Sequence, residues 1–289
     1  MGNNLLEVIN VTKHYEKFTL DDLSFNVPEG AIVGFIGRNG AGKTTALKGI
    51  MNLLPFDSGN VKAFGENIRD TELEAKQLIG FSLSELSYYP NKRIKDLMNV
   101  TKRFYRNFNE ERYQKLCKLF DLDINKKLEE LSSGMKVKFS LATALSYDAK
   151  LLILDEPTSG LDPVSRDEII DIFESFVKKE GRGILFSTHI TSDLDKAATH
   201  IVYIKNGKKV YEGLKSDFID SYYVVEGKSD LIDKNLLISF KEDDDNLRGM
   251  IKKEDVKIFE KQGLKISKPD LEEIMVFMER DENDEKFDI

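Results

Sequence analysis

The chain has 289 residues, 40% of them hydrophobic and 33% charged, which is enough for one large domain, or one domain plus a small appendix. Its net charge of −8 argues against nucleic-acid binding, because nucleic-acid interfaces usually carry a basic surface. No apolar run approaches the roughly 20 residues that a membrane-spanning helix needs, and the N-terminal residues lack the pattern of a signal peptide. We therefore expect a cytoplasmic protein without a membrane span of its own.

The first two thirds of the chain contain several predicted strands. LLEVINVTKHY (5–15) and VKAFGEN (61–67) have the alternating pattern of short strands. AIVGFIG (31–37), LLILDEP (151–157) and GILFSTH (183–189) are near-continuous apolar runs that end in polar residues or glycine. Such runs are typical of strands that are buried on both faces of a parallel sheet. The pattern therefore predicts an α/β core.

Between the first two buried runs, residues 88–147 have a mostly helical pattern and predict a helical insert. IVYIKNGKKVYEG (201–213) predicts a hairpin with Asn-Gly at its turn. After it, YYVVEG (222–227) and NLLISF (235–240) predict strands of a small α+β unit. KPDLEEIMVFMER (268–280) predicts a helix that is opened by a proline and an aspartate, and the final residues, DENDEKFDI, are expected to fray.

These patterns predict two domains, a large one over residues 1–220 and a small accessory one over residues 221–289. The second holds 12 Lys and Arg against 19 Asp and Glu, so it carries most of the net negative charge of the chain. The single cysteine, Cys117, lies in an amphipathic helical pattern and is predicted to be a core thiol. One cysteine excludes an internal disulfide, and the three histidines are too scattered to predict a metal cluster.

GRNGAGKTT (37–45) follows a predicted strand, precedes a predicted helix and fits the phosphate-binding pattern G-x-x-x-x-G-K-[ST]. Its backbone N–H groups and the helix N-terminus would face phosphate oxygens. Lys43 would reach the β- and γ-phosphates, and the hydroxyl of Thr44 would bind Mg²⁺. The predicted ATP contacts of this loop are Gly37, Arg38, Asn39, Gly40, Ala41, Gly42, Lys43, Thr44 and Thr45.

Two carboxylates end the LLILDEP run, and they predict the other half of a nucleotide site. Asp155 at the C-terminal edge of a strand can hold a water that is bound to Mg²⁺. Glu156 points away from Asp155, so it can face the γ-phosphate and polarise the attacking water. Mg²⁺ is thus predicted to lie between Thr44 and Asp155, with Glu156 and Lys43 as catalytic residues.

With GRNGAGKTT, LSSGM (131–135), LLILDEPTSGLD (151–162) and STH in this order, the chain resembles the nucleotide-binding subunits of ABC transporters over about residues 5–213. The resemblance implies a P-loop NTPase fold, with a mixed sheet and helices, a helical subdomain and a small C-terminal α+β extension. Within the family, LSSGM followed by lysine resembles the ABC-2 type exporters of Gram-positive bacteria. That branch includes bacitracin, lantibiotic and peptide exporters, and a phenol-soluble-modulin exporter subunit is one member that the chain resembles.

The family implies a head-to-tail dimer, in which ATP lies between the P-loop of one subunit and the LSSGM signature of the other. Ser132, Ser133, Gly134 and Met135 are then ATP contacts. The signature is usually LSGGQ, so Ser133 and Met135 are departures, which we expect to tune the site because the N–H donors are unchanged. Ser132 and Gly134 stand at the start of a predicted helix, whose dipole favours an anion.

Other roles come from matching positions of the family. The resemblance makes Asp162 a link between the two sites across the dimer, and His189 a switch histidine that contacts the γ-phosphate and supports Glu156. Tyr15 is where the family often stacks an aromatic ring on adenine; the alternative is an exposed tyrosine of a strand. The family usually places a Mg²⁺-binding glutamine where this chain has Ser84 and Glu85, and either side chain offers an oxygen ligand.

The resemblance further implies an ATPase that dimerises with an identical or related subunit and works with a transmembrane permease. The protein would lie on the cytoplasmic face of the membrane and drive export. SYYPNKRIKDLM (87–98) is a candidate wall of the groove that receives the permease, or else packs the insert itself. A non-transporting regulatory or immunity ATPase would carry the same motifs. The insert is too short for a DNA-repair member of the family, and one P-loop does not fit the ribosomal members.

Overall fold

A computed structural model describes residues 3–82 and 89–280. The chain forms two compact units, Met1–Glu212 and Gly213–Ile289. The division lies a short way before the predicted boundary at residue 220. Helix α8 (Lys215–Asp220) precedes strand β11 (Tyr222–Lys228), and the rings of Phe218 and Tyr222 pack edge to face at 5.5 Å. This short helix therefore belongs with the second unit.

The first unit combines two sheets with seven helices within its described residues. Its strands are β1 (Asn4–His14), β2 (Thr19–Pro28), β3 (Ile32–Ile36), β4 (Ser58–Ala63), β5 (Glu66–Asn67), β6 (Ile79–Ser82), β7 (Leu151–Asp155), β8 (Gly183–Thr188), β9 (His200–Lys205) and β10 (Lys208–Leu214), which runs into the second unit. Its helices are α1 (Lys43–Ile50), α2 (Glu72–Leu78), α3 (Ile94–Thr101), α4 (Glu110–Leu119), α5 (Ser133–Ala144), α6 (Pro163–Val177) and α7 (Thr191–Ala197).

The larger sheet has the order β10-β9-β3-β8-β7-β6, and strands β6, β7, β8, β3 and β9 run parallel. Every residue of β3, β7 and β8 is buried, as their continuous apolar sequences predict. The smaller sheet is antiparallel, with the order β2-β1-β4-β5. One hydrophobic core includes side chains from both sheets and from α1, among them Leu6, Phe25, Phe35 and Leu47. The first unit is thus the predicted α/β core.

The arrangement of the parallel strands determines where the predicted site residues come together. Strands β3, β7 and β8 are adjacent, so their carboxyl ends meet at one edge of the sheet. The P-loop follows β3, Asp155 ends β7 and His189 follows β8. In open α/β sheets, ligands bind at this edge of the strands.

The predicted helical insert contains α3, α4 and α5. Ile94, Leu97 and Met98 of α3 are buried, whereas Tyr89, just before the helix, is 75% exposed. Residues 89–98 of the candidate groove wall therefore contribute both to the packing of the insert and to its surface. Cys117 on α4 is buried, as predicted, and burial raises the pKa of its thiol. In the part of the chain that the structure describes, no helix has the length and apolarity to cross a bilayer.

The hairpin between β9 and β10 turns at Asn206 and Gly207, as the Asn-Gly pair predicts, with φ of 50° and 79°. The N–H of Gly207 donates to the carbonyl of Ala41 in the P-loop, at 3.1 Å. A Cβ on Gly207 would lie 1.9 Å from the carbonyl oxygen of Thr19. The turn therefore requires glycine both for its backbone conformation and for its close approach to the smaller sheet.

We expect Gly207→Ala to lower the free energy of unfolding by roughly 1–3 kcal/mol, because the side chain adds a backbone clash to the unfavourable φ. Gly65→Ala is the matched control, since Gly65 also has a positive φ, of 86°, but open space where its Cβ would lie. Urea denaturation of both variants measures the difference. Equal losses of stability would mean that the contact with Thr19 is unimportant.

The second unit has its own antiparallel sheet, in the order β12-β13-β11-β14, and its own core, which includes Val225, Leu247 and Phe259. Its further elements are β12 (Ser239–Asp243), β13 (Asn246–Lys252), β14 (Lys265–Ser267), α9 (Val256–Lys261) and α10 (Leu271–Glu279).

Two predictions for this unit have different outcomes. Helix α10 begins as predicted, with the carboxylate of Asp270 accepting from the N–H of Glu273. The strand prediction for residues 235–240 is wrong over its first four residues: Lys234–Leu236 is a 3₁₀ turn, and β12 starts only at Ser239. The side chain of Asp233 accepts from the N–H of Asn235 and caps this turn, a local bond that competes with a strand. The expected fraying at the end of the chain lies outside the described residues.

Candidate functional site

The phosphate loop lies between β3 and α1 in the predicted order of strand, loop and helix. Gly42 precedes the helix with φ 106°, and a Cβ there would lie 2.7 Å from the ring of Phe18. A Cβ on Gly37 would lie 2.4 Å from the carbonyl oxygen of Ile204. Both positions therefore require glycine, and the backbone between them is free to turn its N–H groups toward an anion.

The ammonium group of Lys43 lies inside the curve of this loop. Its Nζ donates to the carbonyl oxygens of Gly37, at 2.7 Å, and Arg38, at 3.3 Å, and the side chain is buried. An open cavity of about 310 Å³ lies over the loop and the start of α1. It is lined by Phe18, Asn39, Gly40, Gly42, Lys43, Thr44, Thr45 and Glu156. The arrangement of glycines, a lysine and a helix N-terminus suits a phosphate chain.

The hydroxyl of Thr44 and the carboxylate of Asp155 meet beneath this cavity. Thr44 Oγ1 donates to Asp155 Oδ2 at 2.9 Å, and Asp155 is buried. Mg²⁺ prefers oxygen ligands and is commonly held by one or two side chains plus substrate phosphates and water. One hydroxyl and one carboxylate beside a phosphate cradle fit that ion. Among the described residues, no group of three His, Cys, Asp or Glu side chains offers a metal site made of protein alone.

The carboxylate of Glu156 contacts the two other predicted catalytic residues, Lys43 and His189. Its Oε1 lies 3.8 Å from Nζ of Lys43, and its Oε2 lies 2.8 Å from Nδ1 of His189. The backbone of Glu156 is left-handed, with φ 51°, which turns the chain at the end of β7. Glu156 lines the cavity, so its carboxylate is placed to orient a water next to a bound phosphate.

The LSSGM signature starts helix α5. Ser132 is the N-cap, its hydroxyl accepts from the N–H of Met135 at 3.2 Å, and its side chain is exposed. A Cβ on Gly134 would lie 3.1 Å from the carbonyl oxygen of Gly160, so the signature touches the SGLD loop of its own chain. The side chain of Ser133 is not among those that the structure describes. The structure thus presents an exposed helix N-terminus at the predicted place.

Asp162 caps helix α6 in this chain. Its carboxylate accepts from the N–H groups of Val164 and Ser165 and from the hydroxyl of Ser165, at 2.6 Å. The hydrogen bond from the Ser165 hydroxyl is the main reason that the pKa of Asp162 is lowered. The predicted role of Asp162 across a dimer stays a prediction.

Tyr15 follows β1, is 46% exposed and lies with its ring centroid 6.4 Å from that of Phe18. Phe18, and not Tyr15, lines the cavity over the P-loop. The stacking of Tyr15 on adenine stays a prediction, and Phe18 is a neighbour that the sequence did not predict. Ser84 and Glu85, the predicted replacements for the family's glutamine, lie outside the described residues.

Sequence reasoning also assigned no role to three buried polar residues behind the site. The hydroxyl of Ser187 donates to Asp155 Oδ1 at 2.6 Å. The hydroxyl of Thr158, two residues after Glu156, donates to the buried carboxylate of Asp193 at 2.5 Å. A polar side chain within an apolar strand or turn is the sequence signal that could have indicated these roles. Such a side chain needs a hydrogen-bond partner when it is buried.

Known proteins resemble this chain over the region that contains these motifs. The family model described as ABC transporter matches residues 20–159. An uncharacterised ABC transporter ATP-binding protein of Bacillus subtilis, YhcH, is 33% identical over 222 residues, which are 75% of this chain and 72% of that protein. The lantibiotic transport ATP-binding protein SrtF of Streptococcus pyogenes is 35% identical over 72% of this chain and 90% of its own. The bacitracin transport ATP-binding protein BcrA of Bacillus licheniformis is 31% identical over 73% and 70%.

Solved structures show the same fold. The ATP-binding subunit of an ABC transporter has a TM-score of 0.67 and 27% identity, over 74% of this chain and 91% of that one. A dimeric ATP-binding cassette in a post-hydrolysis state, bound to ADP and Pi, has a TM-score of 0.64 and 22% identity, over 72% and 98%. We conclude that the chain belongs to the ABC transporter family and is one of its ATP-binding subunits, an ABC-type ATPase.

Proposed function

We propose that this subunit hydrolyses Mg·ATP at a dimer interface and thereby drives export of a peptide, an antibiotic or a similar amphipathic substrate through a separate membrane subunit. The observation that carries the proposal is the meeting of Lys43, Thr44 and Glu156 at one open cavity. Asp155 is bonded to Thr44, and His189 is bonded to Glu156. Phosphoryl transfer requires a cationic cradle, a metal site and a group that orients water, and these side chains supply all three.

In the proposed reaction, Lys43 binds the β- and γ-phosphates and lies 3.8 Å from Glu156. Glu156 orients the attacking water and accepts its proton, and His189 holds the carboxylate of Glu156 from the other side. Thr44 and Asp155 would hold Mg²⁺, which offsets phosphate charge. The site is completed by a second subunit, homologous or identical, whose exposed signature helix would face the γ-phosphate.

The names of relatives support export as the direction of transport. They include a Nod factor export protein, a linearmycin resistance protein, and bacitracin and lantibiotic transport proteins. A choline transport protein is also related, at 29% identity, so direction requires a direct test. None of these names mentions phenol-soluble modulins, and such a peptide enters the experiment as one candidate substrate among others.

The proposal places the subunit on the cytoplasmic face of the membrane, bound to its permease. Exposed apolar side chains on the insert, Tyr89, Val100 and Phe104, support a docking surface for the membrane subunit there. The Mg²⁺ contacts of Ser84 and Glu85 and the cross-dimer role of Asp162 belong to the same proposal.

The experiment is co-expression with a candidate ABC permease, followed by purification from membranes and reconstitution into vesicles. We expect co-purification, ATPase activity that rises with a transported peptide or antibiotic, and accumulation of that substrate on the side away from the ATPase. Phe104→Glu is expected to reduce co-purification without changing the ATPase activity of the isolated chain. Failure to co-purify with any permease, although ATP-dependent dimerisation is retained, would favour a regulatory or immunity ATPase instead.

A further inference from the structure

We propose that Ser187 is a positioning residue for hydrolysis, whose hydroxyl holds both the Asp155 carboxylate and the Glu156 backbone in place. The inference rests on the proposed Mg²⁺ site. Ser187 is the first residue of the STH motif, but the motif assigns a role only to His189, and Ser187 lies near the end of the buried strand Gly183–Thr188. Its side chain is fully buried. A buried hydroxyl is unfavourable unless it is hydrogen-bonded, so its partners indicate its use.

The first bond of Ser187 fixes the carboxylate of Asp155. Strands β7 and β8 are parallel neighbours, and Asp155 pairs with Ser187 in their register. Ser187 Oγ donates to Oδ1 at 2.6 Å, while Thr44 Oγ1 donates to Oδ2 at 2.9 Å. Hydroxyl donors therefore hold the carboxylate on both oxygens, from β8 on one side and α1 on the other. This sets the plane of the carboxylate that would face Mg²⁺.

The second bond of Ser187 fixes the backbone of Glu156. The N–H of Glu156 donates to Ser187 Oγ at 3.0 Å and to the Ser187 carbonyl oxygen at 3.1 Å. Glu156 has φ 51°, a backbone conformation that residues other than glycine rarely adopt. These two bonds stabilise the turn that aims the Glu156 carboxylate at Lys43 and His189.

One hydroxyl thus donates to the metal-binding carboxylate and accepts from the amide of the proposed base. Only a hydroxyl supplies a donor and an acceptor in so small a volume. Side chains that surround metal ligands orient them, and their loss typically lowers metal affinity or activity by about 10–100-fold. We expect Ser187 to act in this way on Mg²⁺ affinity and on turnover, with little effect on the binding of ATP without metal.

The test compares Ser187→Ala with the parent by electron paramagnetic resonance of Mn²⁺, titrated in the presence of a non-hydrolysable ATP analogue. We expect Mn²⁺ affinity to fall by about 10-fold or more, and kcat to fall with it. The affinity of a fluorescent ATP analogue in EDTA should be unchanged. Ser187→Thr keeps the hydroxyl and should restore Mn²⁺ affinity. Ser187→Cys keeps the size but donates weakly, so it should resemble the alanine variant.

Ser146→Ala is the matched control, because Ser146 is equally buried but its hydroxyl donates to the helix carbonyl of Ala142. Parental Mn²⁺ affinity in Ser187→Ala, or an equal loss in Ser146→Ala, would overturn the inference and leave the Mg²⁺ site standing. Failure of the parent itself to bind Mn²⁺ with nucleotide would overturn the Mg²⁺ site and the inference together. Thermal melting of each variant establishes that it is folded.

Discussion

Glu156→Gln is expected to stop ATP turnover while ATP binding is retained. Glutamine has nearly the same shape as glutamate, but it cannot accept a proton from water. Loss of a general base typically costs about 10²–10⁴ in rate. The bond from Lys43 to the P-loop backbone and the bond between Thr44 and Asp155 do not involve the side chain of Glu156. We therefore expect the variant to bind ATP and to accumulate as an ATP-bound dimer.

Phosphate release measures the first effect, and size-exclusion chromatography with and without Mg·ATP measures the second. Adding Lys43→Ala to the same chain is the control, because it removes the ammonium that we propose binds phosphate and should abolish the ATP-dependent dimer. Turnover at the parental rate in Glu156→Gln would contradict the role of Glu156. Loss of ATP binding in that variant would instead show that the carboxylate is required for the cradle.

Gly134→Asp is expected to reduce hydrolysis by about 10²-fold or more, although the P-loop is untouched. Gly134 lies in the first turn of α5, whose N-terminus favours an anion through its dipole and N–H groups. A carboxylate there would repel the γ-phosphate that a partner subunit presents. ATP binding to the isolated chain should be unchanged, so the loss should appear only in turnover.

The variant Gly134→Ala distinguishes the effect of the added charge from the effect of steric crowding. Either side chain places a Cβ 3.1 Å from the Gly160 carbonyl oxygen and 3.2 Å from Leu161, but only aspartate adds a charge. We expect most activity to remain in the alanine variant. Equal loss in both variants would mean that the SGLD loop of the same chain, and not a phosphate, is disturbed.

Mixing Gly134→Asp with Lys43→Ala adds a stronger test of the composite site. In a head-to-tail dimer of the two variants, one site combines the intact Lys43 of one chain with the intact Gly134 of the other. We therefore expect the mixture to hydrolyse more ATP than either variant alone. A mixture that stays at the level of its components would contradict this arrangement.

Much of the core was predictable because its signals are local. The apolar runs that end at Ile36, Asp155 and Thr188 predict buried parallel strands, and parallel strands bring their carboxyl ends together. The P-loop glycines and the Asn-Gly turn have backbone requirements that only a few residue types satisfy. The structure accordingly brings the predicted residues Lys43, Asp155 and Glu156 to one edge of the sheet.

What escaped prediction depends on contacts between distant parts of the chain. Ser187 reaches Asp155 only because β7 and β8 pair in one particular register. Phe18 reaches the P-loop because the smaller sheet packs beside it, 24 residues before Gly42 in the sequence. The strand predicted at residues 235–240 failed for the opposite reason: a local cap from Asp233, which hydrophobicity does not reveal, holds a turn there.

The left-handed backbone of Glu156 has a consequence for protein engineering. An L-residue in this conformation costs roughly 1–2 kcal/mol relative to a right-handed one, and glycine or asparagine carries less of that cost. A laboratory screen for heat resistance alone would therefore enrich glycine or asparagine at position 156, and with it chains that have lost the proposed base. Stability and turnover make opposing demands on this one residue, so any such screen needs a simultaneous selection for ATP hydrolysis.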